Sequence, residues 1–253
     1  KDDAGAKSLV DQVNASWALP KDSLFMQERW SLAKSAALAQ LRADGFPTAT
    51  WSGTSASVDV QTQKVSLFLV ADSGPQFAYG RNAVAEGLDH GNAVLSRFPV
   101  LHSANHDISL PGVEPRGLLH CVLAMPDGLP DLQVMCVHLG LRESHRRHQL
   151  ERLCDTVQRE VPADAPLIVA GDFNDWRSRA DASLNPCGLT EVFRHHLGAH
   201  ARSFPAGLPL LRLDRIYVRG VAAATPLPLP LRPWSRLSDH APLAAGIDLQ
   251  EAP

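Results

Sequence analysis

The sequence lacks the motifs of several common enzyme classes. It contains no G-x-S-x-G nucleophile motif, and Ser238 is too close along the chain to Asp239 and His240 to form a catalytic triad with them. It also contains no G-x-x-x-x-G-K-[ST] loop that could cradle the phosphates of a nucleotide. Serine-hydrolase and P-loop chemistry are therefore excluded.

The chain has few cysteines, no long apolar run and no large excess of either charge. The chain has four cysteines without a C-x-x-C pair, so we predict buried, reduced thiols and a reducing, cytoplasmic compartment. No apolar run approaches the roughly 20 residues of a membrane-spanning helix, and no transmembrane segment is expected. The formal net charge of −3 gives no general attraction to nucleic acid or anionic membranes. Nothing in the sequence indicates an obligate protein partner.

The apolar pattern predicts a layered α/β fold. Helical spacing of apolar residues covers 8–18, 28–45 and 143–161. Buried strands are predicted at 23–28, 92–97, 117–125, 132–139, 166–173 and 211–218. Residues 46–75 form either a strand pair or an irregular insertion, and the proline-rich stretch 225–234 is predicted to be a loop. Strands separated by only a few helices argue against a regular doubly wound sheet.

Polar residues capable of catalysis follow several of these apolar runs. They are Glu28, His138, Asp172 with Asn174, Asp214 within "LRLDRIYV", and Asp239 with His240 in "LSDHAPL". Carboxylates at the ends of buried strands are costly unless a cation or hydrogen bonds compensate them. Oxygen ligands with open water positions suit Mg²⁺. Acidic residues for a metal and imidazoles for a phosphoryl group together predict metal-assisted hydrolysis of a phosphoester.

Each of these residues also has a purely structural interpretation. Glu28 could be an exposed residue at a helix N-terminus, where the helix dipole favours it. Asp172 and Asn174 could be turn formers after Gly171. His138 could be a satisfied core histidine, and Asp214 could pair with a neighbouring arginine. Two histidine groups, one at 145 and 148 and one at 195, 196 and 200, have no cysteine or carboxylate that completes a zinc pattern, so we predict solvated surface there.

Four motifs in this order resemble the endonuclease/exonuclease/phosphatase superfamily of DNase I-like enzymes: "HGNAVLSR", "GDFND", "LDRIYV" and "LSDHAPL". Longer stretches such as "VMCVHLGLRE" and "VAGDFNDWR" resemble its bacterial YbhP-like branch. The resemblance covers roughly residues 77–249. It implies a four-layer sandwich of two mixed or antiparallel β-sheets flanked by helices, with an active site at one edge.

The resemblance also implies a role for each site residue. Asp172 would orient or deprotonate the attacking water, and Asn174 would hold the scissile phosphate or a metal-bound water. His240 would stabilise phosphoryl charge while Asp239 fixes its tautomer, His138 would be a second phosphate contact or a proton donor, and Asp214 would assist the leaving group or a second ion. Glu28 and Asp239 would ligate Mg²⁺, or Mn²⁺ in its place. Asn92 would support the catalytic centre, and Arg142 would contribute to a phosphate-binding rim.

One departure from the family pattern concerns the start of the chain. The family begins with a strand ending in an asparagine, and here the chain begins at about the following helix. We therefore expect a single domain over residues 1–253 that lacks the family's first strand, with 46–75 as a possible insertion. The sequence predicts a phosphodiesterase acting on nucleic acid or phospholipid. The alternative is a non-catalytic or truncated family member that serves as a binding scaffold.

Overall fold

The computed structural model describes residues 11, 14, 17–19, 23–43, 46, 49–59, 61–72, 76–85, 88–126, 128–230 and 232–249. Its contacts divide the chain into two compact units, one of residues 1–77 with 95–99 and one of residues 78–94 with 100–253. The single domain over residues 1–253 stays a prediction. The predicted helix over 8–18 lies almost entirely outside the described residues.

The smaller unit contains one long helix and a hairpin. Helix α1 (Gln27–Ala43) buries Trp30, Ala33, Ala37 and Leu41, which recur at the spacing of one helical face. Strands β1 (Thr50–Asp59) and β2 (Lys64–Asp72) pair antiparallel. A strand pair within 46–75 is therefore confirmed.

The strand predicted over residues 23–28 is wrong. Residues 23–26 have no regular secondary structure, and the carbonyl of Met26 already accepts the N–H of Trp30 in the first helical hydrogen bond. The ring of Phe25 packs edge-on against Trp30 at 5.6 Å between centroids. The apolar stretch therefore serves as the entry to α1. Glu28 lies exposed in the first turn of that helix.

The larger unit is built on a six-stranded mixed sheet. Its strands are β5 (Val100–Asp107), β6 (Gly117–Leu123), β7 (Leu132–His138), β8 (Leu167–Asp172), β9 (Thr190–Glu191) and β10 (Asp214–Arg219), in the order β5-β6-β7-β8-β10-β9. Two hairpins accompany it: β3 (Gln76–Ala85), which begins in the smaller unit, with β4 (Leu88–Ser96), and β11 (Ala223–Leu227) with β12 (Ala244–Asp248). Helices are α2 (Glu143–Glu160), α3 (Ala180–Leu184) and α4 (Val192–Leu197). The predicted α/β fold class is confirmed.

Two apolar layers cover the faces of the six-stranded sheet. On one face α2 packs Leu150, Leu153 and Val157 against strand residues that include Met135 and Val169. On the other face the hairpins β3–β4 and β11–β12 cover the alternate residues of the same strands. Since β6, β7 and β8 are buried on both faces, they read as continuous apolar runs in the sequence. Among the described helices, none is long and apolar enough to cross a membrane.

The proline-rich stretch 225–234 is partly a strand and not wholly the predicted loop. The loop predicted over 225–234 begins inside β11, where Pro226 lies opposite Ala245 in a two-stranded ladder. Both strands of a two-stranded sheet are edges, and a proline is tolerated there because the ladder does not need its missing N–H.

Two of the four cysteines are not reduced thiols. Cys154 of α2 and Cys187 form a disulfide across 33 residues of sequence, with 5.7 Å between their Cα atoms, while Cys121 and Cys136 are free. Disulfides are typical of oxidising compartments. The prediction of a reducing compartment therefore loses the observation on which it was based.

A buried ion network is centred on Asp181 in the first turn of α3. The carboxylate of Asp181 accepts a hydrogen bond from the hydroxyl of Tyr217 at 2.6 Å, contacts His200 Nε2 at 3.0 Å and pairs with Arg194. His200 is 6 % exposed, so the prediction of solvated surface is wrong for this histidine. Burial alone raises the pKa of Asp181, but its bonds to His200, Tyr217 and Arg194 hold the pKa well below its usual range.

This network predicts a loss of stability in acid. A carboxylate whose pKa is lowered on folding stabilises the folded state above its unfolded pKa of about 3.9, and that contribution is lost as the pH falls below it. We expect Asp181→Asn to lower the free energy of unfolding at pH 7 by about 2 kcal/mol and to flatten its decline between pH 5 and pH 3. Urea unfolding across this range measures both effects. The exposed control Asp131→Asn should leave the profile unchanged, and identical profiles for both variants would refute the assignment.

Candidate active site

Three neighbouring strands of the six-stranded sheet bring the predicted site residues together. Because β7 and β8 are parallel, His138 lies opposite Asp172 at their shared carboxyl end. Because β10 runs antiparallel to β8, its first residue Asp214 lies on the other side of Asp172. A cavity of about 640 Å³ opens above these strand ends, and its lining includes His138, Asp172, Asn174, Asp214, Asp239 and His240. Six of the nine predicted site residues therefore line one cavity.

The "GDFN" turn fixes the central carboxylate. The backbone N–H of Asn174 donates to Asp172 Oδ1 at 2.8 Å, and the Asn174 side chain donates to the carbonyl of Leu139 at 2.9 Å. Asn174 adopts a positive φ of 50°, which asparagine tolerates better than most residues. Burial raises the pKa of Asp172, and the nearby carboxylate of Asp214 adds to that rise. The second oxygen, Oδ2, remains directed at His138, with 3.4 Å to its Nε2.

His240 is oriented by Asp214 and not by its sequence neighbour. Its Nδ1 lies 2.7 Å from Asp214 Oδ2, whereas Asp239 makes no hydrogen bond to the imidazole among the described residues. The prediction that Asp239 fixes the tautomer is therefore wrong, because Asp214 at the start of β10 supplies the carboxylate that holds the imidazole. Burial lowers the pKa of His240, but the hydrogen bond and charge of Asp214, with the charges of Asp172 and Asp239, raise it overall.

The loop that carries His240 is held by backbone hydrogen bonds. The N–H of Ala241 donates to the carbonyl of Ser203 at 2.7 Å, and the N–H of Ala206 donates to the carbonyl of Asp239 at 2.7 Å. The buried hydroxyl of Ser203 accepts the N–H of Asp214 at 3.2 Å, so one residue supports both partners of the His240–Asp214 pair. The sequence alone gave no signal for this contact.

Arg116 is a site residue that sequence reasoning missed. It is 6 % exposed, it lines the cavity, and its Nη1 lies 3.0 Å from His138 Nδ1 while Nη2 bonds Glu114 at 2.9 Å. A guanidinium can only donate, so His138 Nδ1 is the acceptor and the proton of the neutral ring resides on Nε2. Burial, with the charges of Arg116, His90 and His240, lowers the pKa of His138 to about 4. His138 is therefore a neutral donor facing Asp172.

The remaining predicted residues stand apart from the cavity lining or contribute in other ways. Asn92 is buried, and its amide donates to the carbonyls of Gly117 at 2.8 Å and Cys136 at 3.1 Å. It ties β4 to β6 and β7 and does not line the cavity. Arg142 precedes α2 as its exposed N-cap residue and does not line the cavity either. Glu28 belongs to the smaller unit, and its role as a metal ligand stays a prediction.

One group at this site has the composition of a metal-binding set. Asp172, Asp214 and His240 each offer a ligand atom, and these atoms lie within 4.8 Å of one another. The two carboxylates suit a hard divalent ion such as Mg²⁺ or Mn²⁺. Asp239 lines the same cavity without belonging to this group.

An apolar rim surrounds the polar floor of the cavity. Leu141, Trp176, Phe204 and Leu211 line it, and Trp176 is 47 % exposed despite its size. Trp176 is held from beneath by the guanidinium of Arg146, 5.1 Å from the ring centroid, and Arg146 itself donates to the carbonyl of Leu141 at 2.6 Å. The rim can therefore contact an apolar or aromatic part of a ligand whose charged part reaches the floor.

Comparison with known proteins identifies the family of this chain. A sequence model described as the Endonuclease/Exonuclease/phosphatase family matches residues 2–240. The chain belongs to this family. It is 52% identical over 183 residues to the protein YbhP of Escherichia coli strain K12, a match that covers 72% of each chain. This supports the resemblance to the YbhP-like branch.

Solved structures with the same fold cover much of the chain. The human Nocturnin catalytic domain with bound sulfate anion gives a TM-score of 0.55 at 20% identity, covering 69% of this chain and 72% of that one. Truncated Caenorhabditis elegans TDP2 gives a TM-score of 0.55 at 18% identity, covering 70% and 76%. Likeness at this level of identity identifies the fold alone.

Proposed function

We propose that this chain is a divalent-metal-dependent phosphoesterase that hydrolyses a phosphodiester of nucleic acid or phospholipid by in-line attack of water. The observation that carries the proposal is the meeting of Asp172, Asp214, His138 and His240 in one cavity. Family membership supports hydrolysis of phosphoric esters as the reaction class.

The contacts of each residue in the cavity indicate its role in the reaction. Asp172 holds the water, since the Asn174 N–H fixes its Oδ1 while its Oδ2 faces the cavity beside His138 and can accept. The Asp214 carboxylate holds His240 through Nδ1, which leaves Nε2 for a phosphoryl oxygen. His138 can donate a hydrogen bond from Nε2, because its Nδ1 accepts one from Arg116. Asn174 limits the movement of the turn that carries Asp172.

A divalent ion would be held by the carboxylates of Asp172 and Asp214, with Glu28 and Asp239 as further ligands in our prediction. When bound, the ion would neutralise phosphate charge and favour attack by water. Mg²⁺ is the expected ion and Mn²⁺ the expected substitute, because the donor set is dominated by carboxylate oxygens.

The apolar rim supports a diester over a small phosphate. Leu141, Trp176 and Leu211 offer exposed apolar surface within reach of the floor. A nucleobase can stack on an indole, and an acyl chain can pack against leucine, so both substrate types fit this surface. The net charge of −3 gives no additional attraction to long duplex DNA.

Hydrolysis of bis-p-nitrophenyl phosphate by the full chain tests the proposal. We expect turnover with Mg²⁺ or Mn²⁺, its loss in excess EDTA, and its recovery when the ion is restored. A panel of plasmid DNA, single-stranded oligonucleotide and phospholipid vesicles then distinguishes the substrate types. Absence of turnover with every ion and substrate would overturn the proposal and favour a binding scaffold.

A further inference from the structure

A second group of potential metal ligands lies away from the cavity. His106 of β5, His120 of β6 and Glu160 of α2 each offer one ligand atom, and these atoms lie within 4.8 Å of one another. In the β5–β6 ladder His120 faces Ala104 and His106 faces Leu118, so the two histidines are diagonal neighbours on the face that α2 covers. Glu160 is the last residue of α2, which brings its carboxylate over both rings.

A hydrogen bond at Nε2 fixes the ring of His120 and leaves Nδ1 for this group. Its Nε2 lies 2.9 Å from Oε1 of Gln133, a buried side chain on β7. An amide oxygen accepts, so Nε2 carries the proton and Nδ1 carries the free electron pair. Histidines that bind metals are commonly fixed in this way by a hydrogen bond to the other ring nitrogen.

The other two donors, His106 Nε2 and Glu160 Oε2, face each other without forming a hydrogen bond. His106 Nε2 is buried and makes no hydrogen bond, although it lies 3.1 Å from Glu160 Oε2. The same carboxylate oxygen lies 3.8 Å from His120 Nδ1, and within the described part of the chain no lysine or arginine pairs with Glu160. A buried nitrogen that faces a carboxylate without a hydrogen bond requires an explanation, and an ion bound between the two groups supplies one.

We propose that His106 Nε2, His120 Nδ1 and Glu160 form a binding site for Zn²⁺. Two imidazoles and one carboxylate are a known set of protein ligands for zinc, with a fourth position left for water. Ligands about 2.0–2.1 Å from a tetrahedral ion lie about 3.3 Å apart, and Glu160 Oε2 lies 3.1 Å from His106 Nε2 and 3.8 Å from His120 Nδ1. Mg²⁺ is disfavoured because two of the three donors are nitrogen.

The position of this site separates it from the catalytic cavity. The ion joins the C-terminal end of α2 to two outer strands of the sheet, and none of its three ligands lines the catalytic cavity. Binding to the folded state alone would stabilise the larger unit in proportion to the logarithm of the zinc concentration above the dissociation constant. The site does not depend on the proposed hydrolysis.

Zinc competition with a chromophoric chelator tests the proposal on tag-free protein stripped with EDTA. We expect one tight equivalent in the native chain and in Asp172→Asn, which removes a donor of the other group. His106→Gln should weaken this equivalent by more than about 100-fold, and Gln133→Ala by about 10–100-fold, the range found for partners of metal ligands. Zinc should raise the melting temperature of the native chain and not that of His106→Gln.

His102→Gln is the matched control, because His102 lies exposed on the same strand and outside the group. It should bind zinc as the native chain does, and tetrahedral Co²⁺ absorption should follow the same pattern. Equal zinc affinity in the native chain, His106→Gln and Gln133→Ala would overturn the proposal, as would loss of the tight equivalent in Asp172→Asn. Gln133→Ala decides the matter if His106→Gln does not fold.

Discussion

Replacing Asp172 by asparagine is expected to lower kcat for bis-p-nitrophenyl phosphate by about 10³-fold. Asparagine retains the oxygen that accepts the Asn174 N–H, so the "GDFN" turn should keep its conformation. What it removes is the negative charge that can bind a cation and polarise water between His138 and His240. A single substitution thereby separates the chemical role of the side chain from its structural one.

The melting temperature and a matched variant complete this test. Burial raises the pKa of Asp172, so the charged carboxylate is held at a cost, and Asp172→Asn should melt at the same temperature as the native chain or higher. Asp131→Asn, at an exposed position before β7, should leave both activity and melting unchanged. Native activity in Asp172→Asn would remove this residue from the reaction.

The strand ends that carry the site could be predicted because each bears two independent signals. The runs before His138 and Asp172 are apolar without alternation, as expected for strands covered on both faces. A polar residue directly after such a run then indicates the end of the strand at the edge of the sheet. The stretch before Glu28 has a similar composition but enters a helix, since Phe25 packs on Trp30 and the hydrogen bonds of α1 begin at Met26.

The pairing of side chains within the site could not be read from the sequence. Asp239 adjoins His240 in the chain, yet Asp214 holds the imidazole because the register between β8 and β10 brings it there. Arg116 lies in a polar segment that no apolar run precedes. Its burial depends on its hydrogen bonds with Glu114 and His138. Register and burial are tertiary properties, and short motifs do not encode them by themselves.

The same limit applies to the disulfide and to the proposed zinc ligands. Cys154 and Cys187 are 33 residues apart and follow no spacing rule, so only the packing of α2 against the turn after α3 brings them together. His106 and His120 are also distant from Glu160 in sequence. His195 and His196 are close in sequence, but closeness in sequence does not place ligand atoms around one ion. A group that does so within the described residues is His106, His120 and Glu160.

Replacing Gly171 by alanine is expected to destabilise the larger unit by about 3 kcal/mol. Gly171 has a φ of +143°, a conformation that residues with a Cβ rarely adopt, and a Cβ there would collide with the carbonyl oxygen of Val137. Relief of that collision requires β7 and β8 to separate at the point where His138 and Asp172 meet. Activity should therefore fall together with stability, and urea unfolding with parallel assays measures both.

Gly112→Ala separates collision from backbone strain in this experiment. Gly112 also has a positive φ, of +74°, but a Cβ there meets nothing within 4 Å. Its substitution should cost only the conformational penalty of about 1 kcal/mol and leave activity intact. If the two alanine variants lose equal stability, close contact between β7 and β8 does not explain the glycine in "GDFN". If Gly171→Ala keeps full activity, the spacing of His138 and Asp172 is not what the reaction depends on.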